Sequence, residues 1–136
     1  MKNKFVKLVL CHLLLVSSIS FAEVAQVSNT VLKKLMTEGV TLIDIRRPEE
    51  WKETGVIQGS HKLTFFDKKG HYNIEKWLAQ FDQIVKKDDP FVLICRSGNR
   101  TGIVSKFLDQ QVQYKEVKHL SKGIKIWIKE GNTTSK

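Results

Sequence analysis

The sequence has 136 residues, a formal net charge of +9 and two cysteines. This length suits one compact domain with its own hydrophobic core, so we expect one domain rather than two. The basic excess favours anionic ligands or surfaces, although scattered lysines also keep a protein soluble, and no nucleic-acid motif, repeat or low-complexity tract accompanies it.

The N-terminus predicts a secretory signal peptide over residues 1–22. It combines a basic start, a short apolar core and a small-x-small cleavage motif, which are Lys2, Lys4 and Lys7, then residues 8–16, then Ser20-Phe21-Ala22. A membrane anchor is the alternative, but the apolar core is shorter than the ~20 residues that span a bilayer. We therefore expect export to a periplasm, with secretion as the second choice, and no stable membrane association after cleavage.

The mature chain, residues 23–136, would carry a single cysteine. Cys11 lies inside the predicted signal, so cleavage removes it and leaves Cys95. The compartment beyond the signal is oxidising and usually holds paired cysteines. An unpaired thiol there is either buried and inert or exposed and reactive, and composition does not choose between the two.

Helical and extended segments alternate along the first half of the mature chain. Ser28 can cap the first helix and Gly39 can end it, while Pro48 suits the first turn of the second helix. In chain order the predicted elements are a helix over residues 29–37, a strand over 40–45, a brief helix from Pro48 to Gly55 and a strand over 62–66.

The second half continues the alternation. The predicted elements are a helix after Asn73 that runs to Val85, a strand over 91–94, a helix from near Thr101 to about Gln111, a strand over 116–120 and a helix over 121–130. Their inward stripes, and those of the first half, include Val31, Ile103, Ile128 and all three tryptophans, Trp51, Trp77 and Trp127. This order predicts an α/β fold with a mainly parallel sheet and helices on both faces.

Cys95 is the most informative residue, because it closes the most apolar strand and opens a turn that leads into a helix. In sheets of this kind, ligands bind beyond the carboxyl ends of the strands. The N–H groups of the turn and the positive end of the helix can hold an anion there. A thiolate is such an anion, so this position favours the reactive role.

The residues of the turn strengthen that interpretation. Arg96 and Arg100 bracket it, and nearby cations or helix N-termini lower a cysteine pKa from about 8.5 by roughly one to several units. Gly98 supplies the backbone freedom of a tight loop, and Ser97 and Asn99 tolerate turn conformations. The segment is therefore interpreted as a cradle for negative charge.

The spacing of this loop separates two chemistries. Cysteine phosphatases resemble one another in placing an arginine six positions beyond the nucleophile, so that the loop wraps a tetrahedral phosphate. Here that position holds Thr101, and Arg100 comes one residue earlier. The loop is one residue too short for the phosphatase pattern and should hold a smaller group, such as a sulfur atom.

These features give the chain a resemblance to the rhodanese family over nearly all of its mature length. The loop CRSGNR at Cys95–Arg100 resembles the active-site loop of that family. Similar too are Leu42-Ile43-Asp44-Ile45-Arg46, Pro48-Glu49-Glu50-Trp51 and Gly55-Val56-Ile57-Gln58-Gly59-Ser60 upstream, and Leu120, Gly123 and Trp127 downstream. The departures are Val56 for a usual histidine, Ser60 for a common alanine and Lys122 for a common glycine. The resemblance implies a rhodanese-like three-layer domain over residues 23–136.

The resemblance also implies sulfur transfer. The Cys95 thiolate would attack the outer sulfur of a small anionic donor such as thiosulfate or a persulfide, and a thiol, cyanide or protein acceptor would remove that sulfur. The N–H groups of residues 96–101 would stabilise the thiolate, and Arg96 and Arg100 would orient the donor. For Arg100, an ion pair with Asp44 is an equal alternative, while Arg46 and Glu50 are expected to brace the fold.

Other functions remain as alternatives. A rhodanese-like module could carry sulfur or dock a partner without turnover, and a thiol redox protein is disfavoured because no resolving cysteine lies nearby. A cysteine phosphatase or arsenate reductase is disfavoured by the loop length. His61, His71 and His119 are too dispersed to predict a metal site, so we expect surface or structural roles for them and no cofactor.

Overall fold

Five parallel strands form one sheet in the computed structural model, which describes residues 23–136. In chain order they are β1 (Ala25–Val27), β2 (Thr41–Asp44), β3 (His61–Lys62), β4 (Phe91–Ile94) and β5 (Val117–Leu120). Their order across the sheet is β1-β5-β4-β2-β3, so β4 lies at the centre. The predicted signal peptide and Cys11 lie outside the described residues.

Helices cover both faces of this sheet. They are α1 (Asn29–Thr37), α2 (Pro48–Thr54), α3 (Ile74–Ile84), α4 (Asn99–Gln110) and α5 (Gly123–Lys129). One core contains buried residues of α3 and α4, and a second core contains buried residues of α1 and α5. The predicted α/β fold with helices on both faces is confirmed. Between residues 23 and 136, no helix is both long and apolar enough to cross a membrane.

Successive residues of a strand point to opposite faces of the sheet and so belong to different cores. In β4, Phe91 and Leu93 face the core of α3 and α4, whereas Val92 and Ile94 face the core of α1 and α5. All four residues are fully buried, as expected for a strand covered on both faces. The apolar run that precedes Cys95 is thus the central strand of the sheet.

The helix ends follow the predicted signals. Ser28 accepts a hydrogen bond from the Val31 N–H at 3.3 Å, and Asn73 accepts one from the Lys76 N–H at 2.9 Å. Pro48 occupies the first turn of α2. Gly39, at a φ of +76°, follows the end of α1, in the left-handed region that favours glycine. These caps confirm the predicted helix starts at residues 29, 48 and 74.

Two strands differ from the prediction. β1 was not predicted, because it has three residues at the sheet edge and only Val27 among them is buried. β3 covers His61–Lys62 rather than residues 62–66. Beyond it, Leu63 and Phe65 still donate N–H bonds to carbonyls of residues 44 and 45, so the chain follows β2 without forming a regular ladder.

Three of the residues predicted to face inward are exposed instead. Val31, Ile103 and Ile128 have relative exposures of 44 %, 64 % and 39 %. Each lies one residue from the buried stripe of its helix, which Leu32, Val104 and Trp127 form, and one residue turns a helix by about 100°. Trp77 and Trp127 are buried as predicted, but Trp51 is only partly buried. Apolar character alone did not assign these faces.

Candidate functional site

Cys95 follows β4 directly, at the carboxyl end of the central strand. Its side chain has 1 % relative exposure and lies at the core of α3 and α4. Strands β2 and β4 remain paired at this end, since Ile45 donates its N–H to the Ile94 carbonyl at 2.9 Å. The thiol thus lies at the predicted edge of the sheet, and it is buried. Its reactivity depends on the polar groups around it.

Gly98 turns the loop back towards the sulfur. Its N–H donates to Cys95 Sγ at an N···S distance of 3.1 Å. The residue has a φ of +94°, and a Cβ at this position would lie 2.2 Å from the Ser121 carbonyl oxygen. Glycine is therefore needed for both conformation and space. An N–H donor in this position can stabilise negative charge on sulfur.

The first turn of α5 holds the loop from outside. Ile124 and Lys125 donate their N–H groups to the carbonyls of Cys95 and Arg96 at 2.9 and 3.1 Å. Gly123 permits this approach, because a Cβ there would lie 2.3 Å from the Arg96 carbonyl oxygen. Lys122, at a φ of −113°, needs no glycine, so this departure from the family pattern is accommodated.

Thr101 lies beside the sulfur within the first turn of α4. Its Oγ1 is 3.4 Å from Cys95 Sγ, and it donates to the Gly98 carbonyl at 3.1 Å. The same oxygen is 3.1 Å from Nδ1 of His119, which β5 presents from beneath. Both side chains are buried. A hydrogen-bonded chain thus runs from the cysteine through the threonine to the histidine.

The two supporting residues predicted from the sequence form a buried ion pair. Arg46 donates through Nε and Nη2 to the Asp44 carboxylate, with a shortest distance of 2.8 Å. It also donates to the Thr54 hydroxyl and to the Gly55 carbonyl, both at 2.9 Å. Neither charged side chain has more than 1 % exposure. The pair therefore fastens the end of α2 to the end of β2.

Arg100 has Glu50 as its partner, which corrects the predicted pair with Asp44. Its two terminal nitrogens donate to the two Glu50 oxygens at 2.9 and 2.7 Å. Burial raises the pKa of Glu50, but the bonds from Arg100 and the Arg47 N–H outweigh it and hold that pKa at about 2. Asp44 is already bound by Arg46. Arg100 thus joins the cysteine loop to α2.

Arg96 is exposed and borders a cavity of about 190 Å³. The cavity lies between α2 and α5, and its wall includes Glu50, Ile124, Lys125 and Ile128. Drug-sized ligands occupy about 300–1,000 Å³, so this space suits a smaller molecule. The wall carries three cations, Arg46, Arg96 and Lys125, and two carboxylates, Glu50 and Glu53, and this small cationic excess favours an anion. Ser97 and Asn99 are exposed on the same loop.

The structure brings together most of the residues that the sequence singled out. Gly98 and Thr101 both contact Cys95, while Arg96 is exposed to solvent. His119 was expected to have a surface or structural role, and the structure places it at the end of the hydrogen-bonded chain from Cys95. The sequence signal for it is weak, because Lys118 and His119 are both polar among the four residues of β5. In the described part of the chain, no group of three acidic, histidine or cysteine side chains could hold a metal ion.

Two known proteins are similar to this chain over most of its length. A Bacillus subtilis (strain 168) protein named "Putative sulfurtransferase YtwF" is 32 % identical over 116 residues, which cover 84 % of this chain and 98 % of that one. The uncharacterized protein RP600 of Rickettsia prowazekii (strain Madrid E) is 29 % identical over 105 residues, which cover 75 % of this chain and 79 % of that one.

Two solved structures share the fold at lower identity. The polysulfide-sulfur transferase homodimer of Wolinella succinogenes superposes with a TM-score of 0.63 at 20 % identity, over 83 % of this chain and 79 % of that one. A Rhodopseudomonas palustris protein described as a "Possible Tyrosine Phosphatase" gives 0.61 at 24 %, over 82 % and 85 %. The family model of the rhodanese-like domain matches residues 28–130, from the cap of α1 to the end of α5. With that match over most of its length, the chain belongs to the rhodanese-like domain family.

Proposed function

We propose that this protein is a sulfurtransferase that moves a sulfane sulfur from a small anionic donor to a thiophilic acceptor through a persulfide on Cys95. The observation that carries the proposal is the N–H of Gly98 aimed at a buried sulfur, 3.1 Å away, at the carboxyl end of the central strand. Such a donor stabilises a thiolate and, after transfer, the charged persulfide. The name of the Bacillus subtilis relative supports the same chemistry.

The reaction has two displacements that need no oxidant or cofactor. In the first, the Cys95 thiolate attacks the outer sulfur of thiosulfate, a new S–S bond forms, and sulfite leaves with the electron pair of the old bond. In the second, the acceptor thiolate or cyanide attacks the outer persulfide sulfur. The Cys95 thiolate then leaves with its electron pair and is ready for the next cycle.

The cations of the site divide into two groups. Arg96 and Lys125 border the 190 Å³ cavity, where their charge would attract and orient the anionic donor. Arg100 is held by Glu50 and joins the cysteine loop to α2, whereas Arg46 is held by Asp44 and fastens α2 to β2. Ser97 and Asn99 are exposed beside the cysteine and are candidates for contact with an acceptor.

Intact-mass measurement after incubation with thiosulfate or polysulfide tests the first displacement. We expect the mature protein to gain one sulfur atom and Cys95→Ser to gain none. Absence of an adduct with both donors would overturn the proposal. Cyanide-dependent thiocyanate release then separates turnover from sulfur carriage, since a carrier module would gain the sulfur without releasing it. Hydrolysis of phosphate esters would favour the phosphatase alternative instead.

We also propose that residues 1–22 act as a signal peptide that delivers the domain to a periplasm. The basic, apolar and small-x-small segments of that stretch support this location. Cell fractionation with N-terminal sequencing of the recovered protein is the test. A periplasmic protein that begins near Glu23 is expected, and a cytoplasmic protein that retains residues 1–22 would contradict the export proposal.

A further inference from the structure

A second cavity lies behind the cysteine loop and shares no wall residue with the cavity beside Arg96. It measures about 400 Å³ and lies between the β1 end of the sheet and α4. Its wall contains His119 and polar side chains from three places: α4, β1 with the residues before it, and the residue after β5. These side chains are Glu23, Gln26, Asn99, Ser105, Lys106 and Ser121. The hydrogen-bonded chain from Cys95 therefore ends at a polar cavity.

The protons of this chain balance when the single hydrogen of the Thr101 hydroxyl turns from the Gly98 carbonyl, 3.1 Å away, to His119 or to the sulfur. When Cys95 is a thiol, its S–H can donate to Thr101 Oγ1, whose hydroxyl can donate to His119 Nδ1. When Cys95 is a thiolate, the threonine hydroxyl donates to sulfur and the histidine Nδ1–H donates to the threonine oxygen. On going from the first state to the second, the sulfur proton moves to Thr101, the threonine proton moves to His119 Nδ1, and the Nε2 proton of His119 leaves for the cavity. The net loss is one proton, and the imidazole is neutral in both states.

We propose that Thr101 and His119 form a proton relay that takes the proton of the Cys95 thiol to this second cavity, the rear cavity. After the transfer, the Thr101 hydroxyl donates a hydrogen bond to the thiolate. The purpose of the relay rests on the proposed function, because a donor bound beside Arg96 would cover that side of the loop. With Cys95 at 1 % exposure, the rear path then remains for the proton. His119 is a positioning residue in this scheme, since it acts on sulfur through Thr101.

The surroundings of His119 suit a neutral relay. Burial lowers the pKa of His119, so the imidazole is uncharged at neutral pH and can accept a proton. The adjacent strands contribute uncharged partners in register, Gln26 from β1 and Leu93 from β4. The charged groups that face it across the cavity are Glu23, before β1, and Lys106, on α4. At the other end of the relay, Arg96 follows the cysteine in sequence, and Arg100 lies close enough to the sulfur to interact with its charge.

The test is the rate of Cys95 alkylation by iodoacetamide as a function of pH. It needs no sulfur donor, so it can fail independently of the proposed function. We expect Thr101→Val and His119→Leu each to move the midpoint of the profile about one pH unit higher, a roughly tenfold lower rate at pH 7. Thr101→Ser should restore the wild-type profile, and His71→Leu, at an exposed histidine, should leave it unchanged.

The double variant Thr101→Val/His119→Leu distinguishes a relay from two separate effects. Because His119 acts through Thr101, the double variant should match Thr101→Val alone. Additive shifts, or an unshifted His119→Leu profile, would overturn the relay. Thermal unfolding of each variant checks that it is folded.

A measurement on the wild-type protein removes any dependence on variant folding. Long-range ¹H–¹⁵N spectra of His119 should change from the Nε2–H to the Nδ1–H tautomer as Cys95 ionises. An unchanged tautomer through that titration would refute the relay even if every variant behaved as expected.

Discussion

At the scale of single residues, Glu50 shows how the site depends on contacts that are distant in sequence. It receives two bonds from Arg100, fifty residues later, and one from the Arg47 N–H. The pair has side-chain exposures of 22 % and 12 %, so it is shielded from water only in part. The pair connects α2 to the start of α4, directly after the cysteine loop.

Removing this carboxylate should give a pH-dependent loss of stability. The pKa of Glu50 falls from 4.5 to about 2 in the folded protein, so its contribution is full above pH 4.5 and disappears as the pH falls towards 2. We expect Glu50→Gln to cost about 1–2 kcal/mol at pH 7, after allowance for solvent screening, and much less at pH 3. Urea unfolding at the two pH values measures the difference.

The matched control for this prediction is Glu53→Gln, on the exposed side of the same helix. It should change the free energy of unfolding little at either pH. If the cost of Glu50→Gln were equal at pH 7 and pH 3, the ion pair would not be the source of that stability.

At the scale of elements, the site is formed by two connections that pack against each other. The β4–α4 loop carries Cys95, and the β5–α5 turn contacts that loop. Gly98 fits against the Ser121 carbonyl, and Gly123 fits against Arg96. The two glycines are 25 residues apart in sequence, yet each has a left-handed φ and each leaves no space for a Cβ. The elements were largely predictable from capping and periodicity, except the short edge strand β1 and the shortened β3.

Gly123→Ala should be strongly destabilising. Its φ is +64°, and the added Cβ would lie 2.3 Å from a backbone oxygen, so conformational strain and overlap add. We expect a loss of about 2–4 kcal/mol in the free energy of unfolding. Gly131→Ala is the control, since Gly131 has a φ of +81° but no atom within 4 Å. The control should cost only about 1 kcal/mol.

Urea denaturation of both variants measures these losses, and the alkylation rate of Cys95 reports on the loop. Equal losses in the two variants would mean that the contact between α5 and the loop does not constrain the site.

At the scale of the whole molecule, charge is the dominant feature. The full chain carries a formal net charge of +9, and Arg96 and Lys125 add local positive charge at the cavity between α2 and α5. Such a field raises the encounter rate with anions and is screened by salt, with a Debye length of ~10 Å at 0.1 M and ~3 Å at 1 M. The basic composition therefore bears on the rate of donor capture, not on the fold.

Salt should slow the reaction with a charged donor selectively. We expect the rate of persulfide formation from thiosulfate to fall several-fold between about 0.02 M and 0.5 M ionic strength, because screening weakens the attraction. Alkylation of Cys95 by uncharged iodoacetamide should change little over the same range. Stopped reactions analysed by intact mass measure both rates. Equal salt dependence for the two reagents would contradict electrostatic capture of the donor.

The sequence by itself determined the alternation of strands and helices, the central apolar strand and the position of Cys95 at its carboxyl end. These follow from local rules: caps, periodicity and the side on which parallel strands end. Only the tertiary structure decided which charges pair, since Arg100 could reach Asp44 or Glu50 from its sequence position and Arg46 already holds Asp44. It also brought His119 to Thr101, because strand order places β5 beside β4 and the His119 side chain lies under α4.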